Sequence, residues 1–164
     1  GINEILEAFS SCRSEAKLLL VGAEEGLDTL DQTLLQNAHQ DPNIQFHDRV
    51  SDVERYYAAI DILLLPSYRE GFGNVIIEAA AVGTPAIVSD IPGPIDAIER
   101  DKTAYVIPPK DVAALTAAMK KSMIRSNGLS SEYCAYFAAE KFDSKKLCEK
   151  IYSRKRALID GDNK

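Results

Sequence analysis

Two carboxylates, Glu70 and Glu78, close the ends of the nine-residue stretch E-G-F-G-N-V-I-I-E. Between them lie two glycines around an aromatic ring, then an apolar run. Carboxylates accept hydrogen bonds from hydroxyl groups and stabilise developing positive charge. A glycine-rich turn that opens into a helix favours anions, because the first N–H groups of a helix lack internal partners and carry the positive end of its dipole. Gly71 and Gly73, without a Cβ, let such a turn take unusual dihedrals and let a ligand reach the backbone. A wholly helical path would separate the two acids by roughly 12 Å along the axis, which suits the two ends of an elongated ligand. An acid this close to a phosphate site repels phosphate. Glu70 is therefore expected to face sugar hydroxyls or a developing positive charge.

The neighbouring residues supply the scaffold for this chemistry. Ile62–Leu65 is a short unbroken apolar run of the kind buried on both faces of a parallel sheet. Pro66 has no ladder N–H and ends it. Tyr68, Arg69 and Glu70 then lie in a polar loop, and a helix is expected from Asn74 to Val82, closed by Gly83 and Pro85.

The segments L-L-L-P-S, E-G-F-G-N-V-I-I-E-A and G-T-P-A-I-V-S-D together resemble the donor-binding domain of the glycogen-synthase-like retaining glycosyltransferases of the GT-B fold (glycosyl transferases group 1). The resemblance extends from G-I-N-E-I-L-E-A-F to the last helix. It implies that Glu70 contacts the donor sugar at the reacting centre, as a positioning group or as support for an oxocarbenium-like state, and is the catalytic candidate. The backbone N–H groups of Gly71, Phe72, Gly73, Asn74 and Val75 would face sugar and diphosphate, and Glu78 would hydrogen-bond the ribose hydroxyls. Arg49 and Val50 would lie against the nucleotide base, with Asp48 standing where the family has a glycine. Taken without the resemblance, Arg49 also fits a solvated surface arginine. Gly22, at a strand end, would join the same donor site.

The implied reaction moves a sugar from a UDP- or GDP-sugar to a sugar, polysaccharide or lipid-linked acceptor with retention of anomeric configuration, without cofactor or metal. In the family, an arginine and a lysine that clamp the donor diphosphate precede the segment seen here, and Gly1 matches the glycine after that lysine. On this reading residues 1–164 are a single nucleotide-sugar-binding domain, expressed as a fragment without the acceptor-binding N-terminal domain. Such a fragment is expected to be inactive and to bind donor weakly. The whole enzyme is expected in the cytoplasm, with peripheral association at the inner face of a membrane left open. Two other classes share features of this pattern. A nucleotide-sugar epimerase of GT-B architecture is not expected to keep E-G-F-G-N-V-I-I-E, and a non-catalytic sugar-nucleotide-binding module differs only in acceptor residues outside this chain.

Bulk properties read as those of an ordinary soluble globular domain. A chain of 164 residues, 46% hydrophobic and 27% charged, is long enough for a real core. Its net charge of −6 argues against nucleic-acid binding, which needs a basic face. No apolar run approaches a membrane span and no signal segment opens the chain. Cys12, Cys134 and Cys148 are odd in number and scattered, as buried or idle thiols in a reducing cytoplasm are.

Strands expected at Lys17–Gly22, Ile44–His47, Ile62–Leu65, Ala86–Ser89 and Ala104–Ile107 alternate with helical spacings, which predicts a doubly wound, Rossmann-like parallel sheet. The helices are expected over Gly1–Arg13, Leu27–Ala38, Val53–Ile60 behind a Ser51/Glu54 capping box, Asn74–Val82, Val112–Met123 behind Asp111 and before the breaker Asn127-Gly128, Glu132–Lys141, and Ser144–Ile159 after Asp143. A short helix bearing Ile95 and Ile98 is expected behind the rigid Asp90–Pro94 loop. Gly22, Arg49, Glu70 and Asp90 all follow strand ends, where ligands of such sheets bind. The family's first strand, which would lie between Leu18–Val21 and Ile62–Leu65, is not among these residues. Those two strands are therefore expected to close on each other, or to accept a strand from a second chain, because unpaired edges are costly.

Other chemistry is sparse. His39 and His47 have no neighbouring cluster that would make a zinc site, and G-x-S-x-G is absent. Asp160-Gly161-Asp162 imitates a metal-binding D-x-D but lies in a polar tail, and Ser153–Arg156 reads as a solvated helix face. Phe72 either packs beneath the glycine turn or contributes only its backbone.

Overall fold

A computed structural model describes residues 1–23, 30–124 and 128–159. The fold is α/β with parallel strands throughout, as expected. Strand β1 (Leu18–Val21) pairs with β2 (Ile44–His47), Leu18 opposite Ile44. A separate ladder runs β3 (Leu63–Leu65), β4 (Ala86–Ser89), β5 (Ala104–Ile107), with Leu63 opposite Ala86 and Ala86 opposite Ala104.

The direct closure of β1 on β3 is corrected by this topology: among the described residues no ladder joins them. The edge leaves its mark on burial. All four residues of β4, in the middle of its ladder, are buried, whereas the three leucines of β3 are only half-buried rather than covered on both faces. What joins the two ladders is helix α1 (Ile2–Ser10). Its Ile5, Leu6 and Phe9 share one core with Leu18 and Leu20 of β1, Leu64 of β3 and Ile87 of β4. Tyr105 and Ile107 of β5 and Leu115 and Met119 of α5 (Val112–Ser122) complete that layer. Side-chain burial on the helix substitutes for backbone pairing.

The opposite face of the second ladder is covered by α4 (Asn74–Ala81), whose Ile76 packs with Ala86, Val88, Ala97, Ile98 and Ala104. Behind α4 lies α6 (Ser131–Phe142). Ala80 meets Cys134 and Ala138 there, small residues that let the two helices approach closely. The short helix of the Pro94–Ala97 segment is a single 3-10 turn.

Helix ends follow side-chain caps where these fall in the right place. Asp31 accepts from the N–H groups of Thr33 and Leu34 at the start of α2 (Gln32–Gln40), and Asp111 accepts from Ala114 at 2.8 Å. Asp143 accepts from Lys146 at 2.9 Å ahead of α7 (Ser144–Ile159). The Ser51/Glu54 capping box is not formed. Helix α3 (Val53–Ala59) begins so that Asp52 occupies the cap position, and Ser51 stands one residue too early. Leu30, expected in this helix, lies ahead of α2. Leu27, Asn127 and Asp160-Gly161-Asp162 lie outside the described residues. None of the residues of α7 is buried; Leu147, Ile151, Tyr152, Leu158 and Ile159 are all exposed.

One polar cluster ties the β4–β5 connection to α6. Glu99 accepts from Lys102 Nζ at 2.5 Å and from Tyr133 Oη at 2.6 Å. These hydrogen bonds, Lys102 first, hold the Glu99 carboxyl below the usual carboxylate range. A carboxyl lowered in the native state adds stability above its unfolded value, roughly pH 4.3, and loses it as pH falls through the lowered native value. Glu99→Gln is therefore expected to be less stable than wild type at neutral pH, with the gap closing below about pH 4. Urea midpoints measured across that range test it; a gap that persists unchanged in acid removes the linkage.

Candidate functional site

The turn from Glu70 to Gly73 connects β3 to α4, and its backbone is set by one residue. Gly73 is the N-cap of α4 with φ 80° and ψ 52°, a left-handed conformation that L side chains rarely adopt. Among the described residues no side chain caps the helix. Among the described residues no acceptor meets the N–H groups of Phe72, Gly73, Asn74 or Val75. Four donors thus stand together at the positive end of α4. The fifth N–H expected in this set, that of Gly71, donates to Glu70 Oε1 at 3.0 Å. Glu70 is half-buried and its carboxylate turns back onto the N–H of the residue that follows it.

Glu78 lies a turn into α4, exposed, and one of its oxygens is held: Tyr57 Oη donates to Glu78 Oε2 at 3.0 Å. Tyr57 is buried on α3. Burial, and then the Glu78 carboxylate, push its phenol well above the ordinary value, so it stays a donor. Sequence spacing did not single out Tyr57 over its neighbour Tyr56, whose ring instead meets His47 edge-on at 5.4 Å.

A second unanticipated contributor is Gly93. Its φ is 96°, and a Cβ there would lie 2.2 Å from the Gly71 carbonyl oxygen. The Asp90–Pro94 loop is thus a buttress pressed against the glycine turn. Asp90 itself is engaged by Arg100, Nη2 to Oδ1 at 2.7 Å. On the other flank the Tyr68 hydroxyl donates to the Glu4 carboxylate on α1, a bond that pushes the phenol up to about 12. Lys110 Nζ sits 4.9 Å from the Tyr68 ring centroid. Phe72 is not core: its ring is exposed and meets Phe142 edge-on at 5.9 Å.

The other expected site residues lie at the carboxyl ends of the first ladder. Gly22 follows β1, exposed, with φ 136° and open space where a Cβ would be. Arg49 is exposed and Val50 half-buried after β2. The structure therefore gathers Glu70, Gly71, Phe72, Gly73, Asn74, Val75 and Glu78 around one helix mouth, and sets Gly22, Arg49 and Val50 on the neighbouring ladder. A groove between α1 and α2, lined by Phe9, Arg13, Asn37 and Asp41 among others, shares no residue with that mouth and is bridged by an Arg13–Asp41 ion pair at 3.3 Å. Among the described residues no three His, Cys, Asp or Glu side chains cluster as metal ligands would, and no helix is long and apolar enough to cross a membrane.

Comparison with known proteins identifies the family and matches the fold. The profile of the family described as "Glycosyl transferases group 1" matches residues 1–124. The capsular polysaccharide biosynthesis glycosyltransferase CapM of Staphylococcus aureus is 32% identical over 124 residues, covering 74% of this chain and 33% of that protein. The putative teichuronic acid biosynthesis glycosyltransferase TuaC of Bacillus subtilis is 34% identical over 121 residues, covering 74% and 29%. The chain thus spans about a third of the length of these curated relatives. Among solved structures, Anabaena HepE in complex with UDP and glucose superposes with a TM-score of 0.83 at 20% identity, over 96% of this chain and 45% of that one. WaaG, a glycosyltransferase involved in lipopolysaccharide biosynthesis, superposes at 0.71 with 26% identity, over 92% and 42%.

Proposed function

Since the chain belongs to the glycosyl transferases group 1 family, we propose that it forms the donor-binding part of a retaining glycosyltransferase that uses a nucleotide-diphosphate sugar. The observation that carries this reading is the mouth of α4. Four N–H groups that meet no acceptor among the described residues, flanked by two carboxylates, suit a ligand with a diphosphate in the middle and a hydroxylated ring at each end. The helix end takes the diphosphate, Glu78 the ribose, and Glu70 the transferred sugar. Gly22 and the Arg49–Val50 segment complete the donor site from the first ladder, the latter towards the base. UDP is held by the Anabaena protein of the same fold, which supports a UDP-sugar before a GDP-sugar as donor here. The relatives named for capsule and teichuronic acid biosynthesis support a polysaccharide or lipid-linked acceptor.

In the reaction, the bond from the anomeric carbon to the diphosphate oxygen breaks and the acceptor oxygen bonds to the same face. The acceptor proton leaves with the nucleotide diphosphate. Charge that develops on the departing diphosphate faces the preorganised N–H groups of α4, where fixed dipoles act without reorganisation. Glu70 positions the sugar and supports the positive charge at the anomeric carbon.

The test uses the full-length protein. UDP- and GDP-sugars are first screened by thermal shift, since a ligand of the native state raises the melting point. Acceptor-dependent release of the nucleotide is then followed, and the anomeric configuration of the product is read from its proton NMR coupling. The expected product keeps the donor's configuration. An inverted product ends the claim of retention, and isomerisation of the donor without acceptor ends the claim of transfer.

A further inference from the structure

We infer that Tyr57 is a positioning residue for Glu78: its phenol fixes one carboxylate oxygen so that the other is presented to the ribose diol of the bound nucleotide. This rests on the reading of Glu78 as the ribose acceptor given above. A glutamate on an exposed helix surface samples several rotamers, and ordering it at binding costs conformational entropy. A group already held in its binding geometry avoids that cost. Glu78 is exposed, yet its Oε2 is held at 3.0 Å by a residue 21 positions earlier in the chain.

The holder is itself fixed at both ends. The Tyr57 ring is buried, with 7% of its surface accessible, and its backbone carbonyl accepts from the buried Thr84 hydroxyl at 2.7 Å. Thr84 in turn follows the C-terminal turn of α4, where its N–H donates to Ala79. Helices α3 and α4 are therefore stapled at two points, one at each end of Tyr57. A carboxylate with one oxygen bound to a phenol keeps its second oxygen whole, and that oxygen can accept from two neighbouring hydroxyls of a diol. The same hydrogen bond could serve only to staple the helices, and the two roles differ in what they do to ligand discrimination.

Calorimetry on the full-length protein separates them, with UDP and GDP each measured beside its 2′,3′-dideoxy analogue. Wild type is expected to bind the intact nucleotide more tightly than the dideoxy form. Tyr57→Phe keeps the buried ring and removes only the hydroxyl. It is expected to weaken the intact nucleotide about five- to tenfold, the worth of one hydrogen bond, and to leave the dideoxy form unchanged. Placed on Glu78→Gln, the same substitution is expected to add nothing, because the two residues act as one unit. Wild type that ignores the ribose hydroxyls overturns the ribose role of Glu78 and this inference with it. Wild-type discrimination that survives Tyr57→Phe, or a Tyr57→Phe loss equal for both ligands, overturns the positioning role alone.

Discussion

Replacing Glu70 with alanine in the full-length protein is expected to slow sugar transfer by roughly 10²–10³-fold, the scale seen when one preorganised electrostatic group is removed from a reacting centre. The affinity for free UDP is expected to stay the same or to tighten slightly. The reasons are opposite in sign. Glu70 is half-buried and its Oε1 sits on the Gly71 N–H at 3.0 Å, beside the donors proposed for the diphosphate. A negative charge there repels a nucleotide diphosphate, so removing it frees the Gly71 N–H and relieves repulsion. The same charge favours the transition state, where positive charge grows on the anomeric carbon. A drop in kcat with unchanged nucleotide affinity therefore marks an interaction used mainly in the transition state. Unchanged turnover takes Glu70 out of the chemistry, and a large loss of UDP binding makes it a ground-state ligand instead.

Gly93→Ala is expected to damage both stability and donor binding, although Gly93 has no proposed contact with the ligand. Alanine at φ 96° is strained, and its Cβ would stand 2.2 Å from the Gly71 carbonyl oxygen and 3.0 Å from its carbon. Both are backbone atoms and cannot swing aside. A strained non-glycine residue costs about 1–3 kcal/mol, and in a domain of this size each kcal/mol lowers Tm by about 2–4 °C. A fall of roughly 2–12 °C is expected. Nucleotide-sugar affinity should fall more than tenfold, because the turn that carries Glu70 and the open N–H groups must shift. Gly71→Ala is the informative contrast. A Cβ there meets nothing within 4 Å and its φ is not in the positive range. It should leave Tm in place and weaken only the donor, by standing where the ligand approaches. Differential scanning calorimetry with donor titration reads both effects. A Gly93→Ala protein with wild-type Tm and affinity would show that the buttress does not hold the turn.

The parts of this fold that were legible are those whose signal is local. Ala86–Ser89 and Ala104–Ile107 are short apolar runs and Ile44–His47 alternates apolar with polar residues, each closed by turn residues, and all three are strands at those bounds. Asn74 opens α4 because Gly73 can take the left-handed cap that precedes it. The Ser51/Glu54 box failed by one residue, since spacing fixes a motif but not the frame in which the helix starts. The half-burial of β3 was not legible either: a run of leucines reads the same at a ladder edge as at its centre. Tyr57 and Gly93 belong to the site only through contacts made across 21 and 22 residues of chain, with Glu78 and Gly71. Nothing in the local pattern separates Tyr57 from Tyr56, or Gly93 from any glycine between two prolines.

The bridge that α1 makes over the two ladders has a mechanical meaning. Among the described residues no backbone hydrogen bond crosses from the β1–β2 plate to the β3–β5 plate, so apolar contact holds them together. Such a joint also weakens on cooling, as apolar attraction does.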